Sequence, residues 1–259
     1  MRMYKYRFTI VTVCYNAELY IKNTIISLLK QTYGDYEYII KDGGSTDRTM
    51  DIVHSLVEES DRIHIVCKSD KGIYDAMNQA IEMAQGEYIY FLNAGDCFCN
   101  KKVLERVDKF IENKNYGVVY GNTVQVDGER RSLRKYGKIC SNKLYFLTGD
   151  CICHQALFAR LSLFEEKKFD TQFQICADKE WQMYHIVVGH EKFYGIPIAV
   201  AMVMTDGFSK RHVQLFERET YNCLKKYYPY MAWIYTVLLK IKKNQWILKG
   251  FQFIERVFL

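Results

Sequence analysis

The chain has 259 residues, of which 49% are apolar and 25% charged, and it contains only two prolines. This composition excludes a disordered or collagen-like protein, because enough apolar surface is present to offset the entropy lost on folding. The net charge of +6 is concentrated in residues 221–259, which hold seven Lys or Arg against the single acid Glu255. The rest of the chain is balanced, which argues against a protein that binds nucleic acid over its whole surface.

Nine cysteines are scattered along the chain, and no basic and apolar leader opens it. An odd number of cysteines without a regular framework predicts free thiols and a cytoplasmic location. Single-residue spacing, as in Cys97 and Cys99 or Cys151 and Cys153, is unfavourable for structural zinc. The longest apolar run, residues 230–239, is too short to span a membrane.

The first hundred residues alternate between strand and helix signals. Short apolar runs predict four strands, at residues 8–13, 36–40, 63–67 and 87–92. Apolar residues at helical spacing follow each of the first three strands. The alternation predicts a mostly parallel sheet with helices on both faces, in which ligands bind beyond the carboxyl ends of the strands.

Four polar loops are expected at that edge of the sheet. They lie at residues 14–18, 42–47, 69–75 and 93–96. Each loop alone is also compatible with an ordinary turn or helix cap. Four such loops that converge at one edge favour a binding site.

Five short motifs in these loops and strands occur in a definite order. They are TIVTVCYN at 9–16, QTY at 31–33, DGGSTD at 42–47, SDKGIYDAMN at 69–78 and FLNAGD at 91–96. Together they resemble family 2 glycosyltransferases of the GT-A fold. A weaker likeness to the acceptor half of that family runs from HQ at 154–155 through FD at 169–170 to ADKEW at 177–181.

The resemblance implies a GT-A-type α/β catalytic domain at residues 1–210, followed by a helical tail at residues 211–259. Residues 1–98 would form the donor half of the domain, and residues 99–210 the acceptor half. The implied reaction is an inverting transfer of a sugar from a nucleotide diphosphate, with UDP favoured, to an acceptor hydroxyl.

A leaving diphosphate gains negative charge as its bond to the sugar breaks, so a divalent cation would stabilise the transition state. Asp96 matches the last acid of the family's Asp-x-Asp-type motif and is expected to hold Mg²⁺ or Mn²⁺. Asn93, Ala94 and Gly95 offer no second carboxylate, which weakens the expected metal site. The alternative for Asp96 is a cap of a short turn.

The same match implies further donor-binding residues. Asp42 corresponds to the carboxylate that accepts a hydrogen bond from uracil N3–H, and Tyr15 to a side chain that lies against the base. The expected set is completed by Thr12, Lys71, Asn78 and Asn93. The alternatives are core packing for Tyr15, a solvated surface for Lys71 and a solvent-facing side chain for Asn78.

An inverting enzyme also needs a general base for the acceptor hydroxyl, and Asp178 matches the base of the family. Because Asp178 lies where a helical pattern begins, the alternative is a helix N-cap. Glu180 is the nearest rival base. His154 and Gln155 are expected on the acceptor side, although a lone histidine is often structural.

The resemblance thus implies a glycosyltransferase that acts in bacterial polysaccharide biosynthesis on a glycan or lipid-linked glycan. The first loop lacks the Gly-x-Gly-x-x-Gly turn of a nicotinamide enzyme and the Gly-rich, basic character of a nucleotidyltransferase. The motif at residues 93–96 contains only one carboxylate. The alternative is therefore a catalytically inactive subunit that binds a nucleotide sugar or acts as a scaffold.

The basic residues 221–259 also contain ten aromatic side chains. Apolar residues recur at helical spacing from Tyr230 to Ile241 and from Ile247 to Phe258, which predicts two amphipathic helices. We expect these helices to dock the protein on an anionic membrane surface, at the inner face of the cell membrane. The alternative is that the stripe packs on the catalytic domain or forms a homodimer.

Overall fold

The computed structural model describes residues 4–136, 146, 151–205 and 211–243. Within these residues, the strands are β1 (Tyr6–Cys14), β2 (Tyr36–Asp42), β3 (Ile63–Cys67), β4 (Gly86–Phe91), β5 (Cys97–Phe98), β6 (Val118–Asp127), β7 (Arg130–Arg134), β8 (Leu157–Arg160) and β9 (Phe193–Met204). They form one sheet in the order β3-β2-β1-β4-β8-β6-β9-β5, with β7 paired to β6.

The helices confirm the predicted alternation and extend it. They are α1 (Ile21–Leu29), α2 (Thr49–Leu56), α3 (Ile73–Ile81), α4 (Val103–Ile111), α5 (Leu161–Glu166), α6 (Ala177–Val187), α7 (Val213–Tyr227) and α8 (Pro229–Lys243), with a short 3₁₀ turn at His154–Ala156. The four predicted strands correspond to β1 to β4, and the three predicted helices to α1 to α3. Their observed ends lie within a few residues of the predicted ones.

The sheet is parallel in its first half and mixed in its second half. Strands β1 to β4 pair in parallel. Beyond them, β8 runs antiparallel to both β4 and β6, β5 runs antiparallel to β9, and only β6 and β9 are parallel. The prediction of a mostly parallel sheet therefore holds for strands β1 to β4 alone. The later strands carry no regular strand-helix alternation in the sequence that could have indicated their directions.

The sheet separates two apolar cores because successive side chains of a strand point to opposite faces. Phe8 and Ile10 of β1 pack in the core that contains α1, α2 and α4. Val11 and Val13 of the same strand pack in the core that contains α3, α5, α6 and parts of α7 and α8. Helices cover both faces, as expected for the GT-A fold.

The two C-terminal helices differ from the predicted tail. Residues from α7 and α8 are buried in the same core as α6, including Leu224, Met231 and Tyr235. The predicted apolar stripe of α8 lies on the other side, where Trp233 is 71% exposed and Leu238 is 45% exposed. The described part of that stripe therefore does not pack on the catalytic domain. The second predicted amphipathic helix, from Ile247 to Phe258, lies outside the described residues.

No helix among the described residues is long and apolar enough to cross a membrane. Eight cysteines fall within the described ranges, and all are free thiols, as predicted.

Candidate active site

The loops that follow β1 and β2 are joined by hydrogen bonds at the carboxyl edge of the sheet. The backbone N–H of Asn16 donates to Ser45 Oγ at 2.8 Å, and the backbone N–H of Thr46 donates to Asn16 Oδ1 at 2.9 Å. Asn16 adopts a positive φ of 48°, a conformation that asparagine tolerates better than most residues. The two loops thus form one rim of the site.

The Asp42 carboxylate holds the loop after β2 in place through hydrogen bonds. The side chain is buried, Oδ2 accepts from the backbone N–H groups of Gly44 and Ser45 at 2.8 Å each, and Oδ1 accepts from the Ser45 hydroxyl. Such Asx-type bonding explains why an aspartate ends β2. The predicted hydrogen bond to a nucleotide base stays a prediction, and it requires a ligand to approach a carboxylate that its own loop already uses.

Tyr15 lies at the surface of the rim and is 63% exposed, so the alternative of core packing is wrong. A Cβ atom added at Gly43 would lie 2.8 Å from Asp70 Oδ2 and 3.5 Å from Tyr15 Cδ2. Glycine at position 43 therefore lets the loops approach one another beside the tyrosine ring. The exposed ring could cover a planar base.

Two of the predicted donor-binding residues, Thr12 and Asn78, make hydrogen bonds within the protein. Thr12 is fully buried, and its hydroxyl donates to the Leu92 carbonyl at 2.7 Å and accepts from Tyr38 Oη at 2.9 Å. The Asn78 amide pairs with the backbone of Phe169, donating to its carbonyl at 2.9 Å and accepting from its N–H at 3.0 Å. An amide offers both a donor and an acceptor, so Asn78 is well suited to joining α3 to that segment.

Lys71 is exposed at the entrance to α3. Its backbone N–H donates to Asp75 Oδ2 at 2.9 Å. A role in binding diphosphate stays a prediction.

Asp96 lies beyond β4 and is buried next to Gln155. Its Oδ2 accepts from Gln155 Nε2 at 2.9 Å, and its backbone N–H donates to the Asn93 carbonyl at 2.9 Å. Burial raises the pKa of Asp96 to about 6, against the opposing effect of the Gln155 hydrogen bond. The acid expected on the donor side and the glutamine expected on the acceptor side are thus direct partners.

His154 connects the donor loop to the predicted base. The Asn93 amide nitrogen lies 2.9 Å from His154 Nε2, and His154 Nδ1 lies 3.2 Å from Asp178 Oδ2. A carboxylate only accepts, so Nδ1 carries the proton towards Asp178 and Nε2 accepts from the Asn93 amide. His154 is therefore fixed by two partners in a definite tautomer.

Asp178 lies in the first turn of α6 with its side chain 13% exposed. The N-cap of α6 is Cys176, so the N-cap alternative for Asp178 is wrong. Asp178 Oδ1 accepts from the Lys179 backbone N–H at 2.8 Å. The single proton of Tyr74 Oη is shared between the Ile175 carbonyl at 2.7 Å and Asp178 Oδ1 at 3.1 Å. Contacts from three elements thus orient the carboxylate.

Glu180 is not a rival base. It is fully buried, and its carboxylate contacts Lys226 Nζ at 2.6 Å, Lys167 Nζ at 3.2 Å and the Tyr227 hydroxyl. Residues two apart on a helix point in different directions, so Glu180 faces α7 while Asp178 faces the site. The expected acceptor-side role is therefore wrong.

Five predicted residues form one hydrogen-bonded cluster at the end of β4. They are Asn93, Asp96, His154, Gln155 and Asp178. Sequence reasoning missed Tyr74, which joins α3 to the predicted base Asp178, although its place within the GIYDAMN motif was a usable signal. It also missed Glu219 in α7, for which the local sequence offers no signal.

The cluster offers few oxygen ligands, so it fits a hard cation that is coordinated mostly by groups outside the protein. Asp96 supplies one carboxylate, and the buried Asn93 Oδ1 has no hydrogen-bond partner within the described part of the chain. Among the described residues, no group of three His, Cys, Asp or Glu side chains could hold a metal alone. A cation here would have to complete its coordination with phosphate oxygens and water, as Mg²⁺ often does.

The fold and the cluster together define a class of protein, the GT-A-type transferases. The sequence profile described as Glycosyl transferase family 2 matches residues 9–165. A PGL/p-HBAD biosynthesis glycosyltransferase from Mycobacterium tuberculosis is 32% identical over 179 residues, which cover 68% of each chain. The chain belongs to glycosyl transferase family 2.

Solved structures share the fold at lower identity. TarS from S. aureus, in complex with UDP-GlcNAc, matches with a TM-score of 0.65 at 18% identity over 86% of this chain and 67% of that chain. The mannosyltransferase PcManGT from Pyrobaculum calidifontis, in complex with GDP-Man and Mn²⁺, matches with a TM-score of 0.64 at 18% identity, over 86% of this chain and 64% of that one. These likenesses establish the architecture of the chain.

Proposed function

We propose that the protein is an inverting glycosyltransferase that moves a sugar from a nucleotide diphosphate, with UDP favoured, to a hydroxyl of a glycan or lipid-linked glycan. The observation that carries the proposal is the hydrogen-bonded chain from Asn93 through His154 to Asp178. It places an oriented carboxylate directly beside the loop that would bind the donor. A silent scaffold subunit would have no need for such an arrangement.

In this reaction Asp178 accepts the proton of the acceptor hydroxyl as the oxygen attacks the anomeric carbon. The bond between the sugar and the diphosphate breaks, and the nucleoside diphosphate leaves with the bonding electrons. Attack from the face opposite the leaving group inverts the anomeric centre. His154 and the Lys179 N–H hold the carboxylate in one orientation, which favours a productive approach.

Asp96 and the Asn93 side-chain oxygen would hold Mg²⁺ or Mn²⁺ together with the donor phosphates. When bound, the cation supplies positive charge where the leaving diphosphate becomes more negative. Support comes from the chemistry of the donor set and from the Mn²⁺ bound by the Pyrobaculum mannosyltransferase.

The nucleotide is tested by thermal-shift titration with UDP, GDP and dTDP in the presence of Mn²⁺. A ligand that binds only the folded state raises the melting temperature with its concentration. We expect the largest shift from UDP, by analogy with TarS. A shift with GDP alone, the nucleotide of the donor in the mannosyltransferase complex, would overturn the choice of uridine.

Turnover is tested by donor hydrolysis and by transfer to glycan acceptors, each with and without Mn²⁺. We expect slow hydrolysis of the matching nucleotide sugar and faster transfer when an acceptor is added. Nucleotide binding without any hydrolysis or transfer would favour the scaffold alternative.

The acceptor side of the proposal includes membrane docking through residues 221–259. Tyr230, Trp233 and Leu238 form an exposed apolar stripe on α8, and Lys225 and Lys240 are exposed on the same pair of helices. Tryptophan and tyrosine suit the headgroup region, and each nearby lysine adds about 1 kcal/mol of attraction to acidic lipids. Docking at the inner face of the cell membrane would present the site to a lipid-linked acceptor.

Liposome flotation tests the docking with surface substitutions. Truncation before α7 is unsuitable because it removes Leu224 and Lys226, which pack on the catalytic domain. The double variant Trp233→Ser and Leu238→Ser should lose most of its binding to anionic vesicles. High salt should weaken the binding of the wild-type protein to the same vesicles. Leu133→Ser, on the exposed strand β7, is the matched control. Equal flotation of all three proteins would contradict docking by this stripe.

A further inference from the structure

A buried carboxylate in α7 is bound to the backbone in front of α6. Glu219 is 4% exposed. Its Oε1 accepts from the N–H of Gln174 at 2.9 Å, and its Oε2 accepts from the N–H groups of Ile175 at 2.9 Å and Cys176 at 3.0 Å. Burial of a charged group is costly unless hydrogen bonds compensate, and these three N–H donors provide that compensation.

The three N–H groups belong to the segment that leads into α6. Cys176 is the N-cap of that helix and makes no side-chain capping bond of its own. Free N–H groups and the positive end of the dipole favour an anion at a helix N-terminus. Glu219 therefore anchors, from another helix, the three residues that lead into α6, where the local sequence provides no side-chain cap.

Neighbouring contacts hold the same turn against α7. Lys179 Nζ donates to Thr220 Oγ1 at 2.7 Å, and Lys226 Nζ contacts Glu180 Oε1 at 2.6 Å. Asp178 directly precedes Lys179 and Glu180 in sequence and faces the other way, towards His154. The first turn of α6 is thus held by α7 on one side and presents Asp178 on the other.

We propose that Glu219 is a positioning residue for sugar transfer, because its carboxylate fixes the entry of α6 and so sets the place of Asp178. This inference rests on the proposed function, in which Asp178 is the base. A displacement of about 1 Å in a reacting group can cost on the order of a hundredfold in rate. A glutamine at this position would retain the size of the side chain but replace one accepting oxygen with a donor that opposes the backbone N–H groups.

The test combines transfer kinetics with amide hydrogen exchange in Glu219→Gln, and Glu112→Gln, an exposed glutamate after α4, is the matched control. In Glu219→Gln we expect kcat to fall at least about tenfold with the donor KM within about twofold. We expect the amides of residues 174–176 to exchange faster, since they lose their acceptor. Glu219→Asp keeps the carboxylate and should recover part of kcat. The control should match the wild type in all measurements.

Three results would overturn the proposal. They are unchanged exchange at residues 174–176, faster exchange with an unchanged kcat, and a rise in donor KM that accounts for the whole loss of activity. If Glu219→Gln does not fold, the same measurements on Glu219→Asp decide, with smaller changes of the same kind expected. A wild-type protein that transfers no sugar overturns the proposed function instead, and amide exchange then still decides whether Glu219 holds the entry of α6.

Discussion

The donor and acceptor halves of the site are built in different ways. In the predicted donor half, the loops after β1 and β2 are held mainly by each other or by their own backbone, as Asn16 is by Ser45 and Asp42 by Gly44. In the acceptor half, Asp178 depends on His154 and Tyr74, which come from distant parts of the chain.

This difference affects how substitutions should act. A change in the predicted donor half should act on the binding of the nucleotide or cation, unless the side chain, like that of Asn78, bonds a distant segment and so supports the fold. In the acceptor half, a change on the side of α6 that carries Asp178 should act on turnover. A change on the side that faces α7, where Glu180 lies, should act on stability. Four substitutions test this division.

The largest effect is expected for Asp178→Asn. The amide keeps the size of the side chain but cannot take the proton of the acceptor hydroxyl, so kcat should fall on the order of a hundredfold or more. Donor binding, measured by thermal-shift titration, should be retained. Asp61→Asn, an exposed residue before β3, is the control. Near-normal turnover with an authentic acceptor would show that another group is the base.

The second effect is a loss of stability in Glu180→Gln. Removing the charge leaves Lys167 and Lys226 without their buried partner. Breaking a fully buried ion pair costs about 3–5 kcal/mol, and we expect about 2 kcal/mol here because both lysines keep contact with water. Chemical denaturation measures this loss. The turnover of the folded variant should stay near that of the wild type, and a loss as large as that of Asp178→Asn would restore Glu180 as a candidate base.

The same contrast explains what the sequence could predict. The elements up to β4 follow from local periodicity, and the loops that end those strands were placed correctly at one edge. Asp178 was placed correctly in the first turn of a helix. The roles of Thr12, Asn78 and Glu180 could not be predicted, because each is decided by a partner distant in the chain, such as Phe169 for Asn78. The contacts of Glu219 could not be predicted for the same reason, because its partners lie more than 40 residues away in the chain.

A third prediction concerns pH and the donor side. The raised pKa of Asp96, about 6, means that its carboxyl group is largely neutral below that pH in the metal-free protein. A cation needs the ionised form, so Mn²⁺-dependent nucleotide binding should weaken up to about tenfold per pH unit below 6 and level off above about 7. Titrations between pH 5 and 8 measure this dependence, and Asp96→Asn should show weak binding without it. Constant binding in the wild type would contradict a role for Asp96 in holding the cation.

The stability of the metal-free protein should change in the opposite direction. Burial favours the neutral carboxyl in the folded state, so the contribution of Asp96 is most favourable below its unfolded pKa and is lost as the pH rises through about 6. Asp96→Asn should therefore unfold at a higher temperature than the wild type at pH 7, and the difference should shrink at pH 4. An equal difference at both pH values would show that the carboxyl does not titrate in this range.

The smallest effect is expected for Asn78→Ala. The variant loses both hydrogen bonds to the Phe169 backbone, which should cost about 1–2 kcal/mol, offset in part by the higher helix propensity of alanine. Asn23→Ala, at an exposed position of α1, is the control. This substitution should change stability only through the higher helix propensity of alanine. Because Asn78 faces Phe169, the donor KM should stay within about twofold of the wild type. A large rise in donor KM with unchanged stability would instead return Asn78 to the donor site and place the division between the two halves elsewhere.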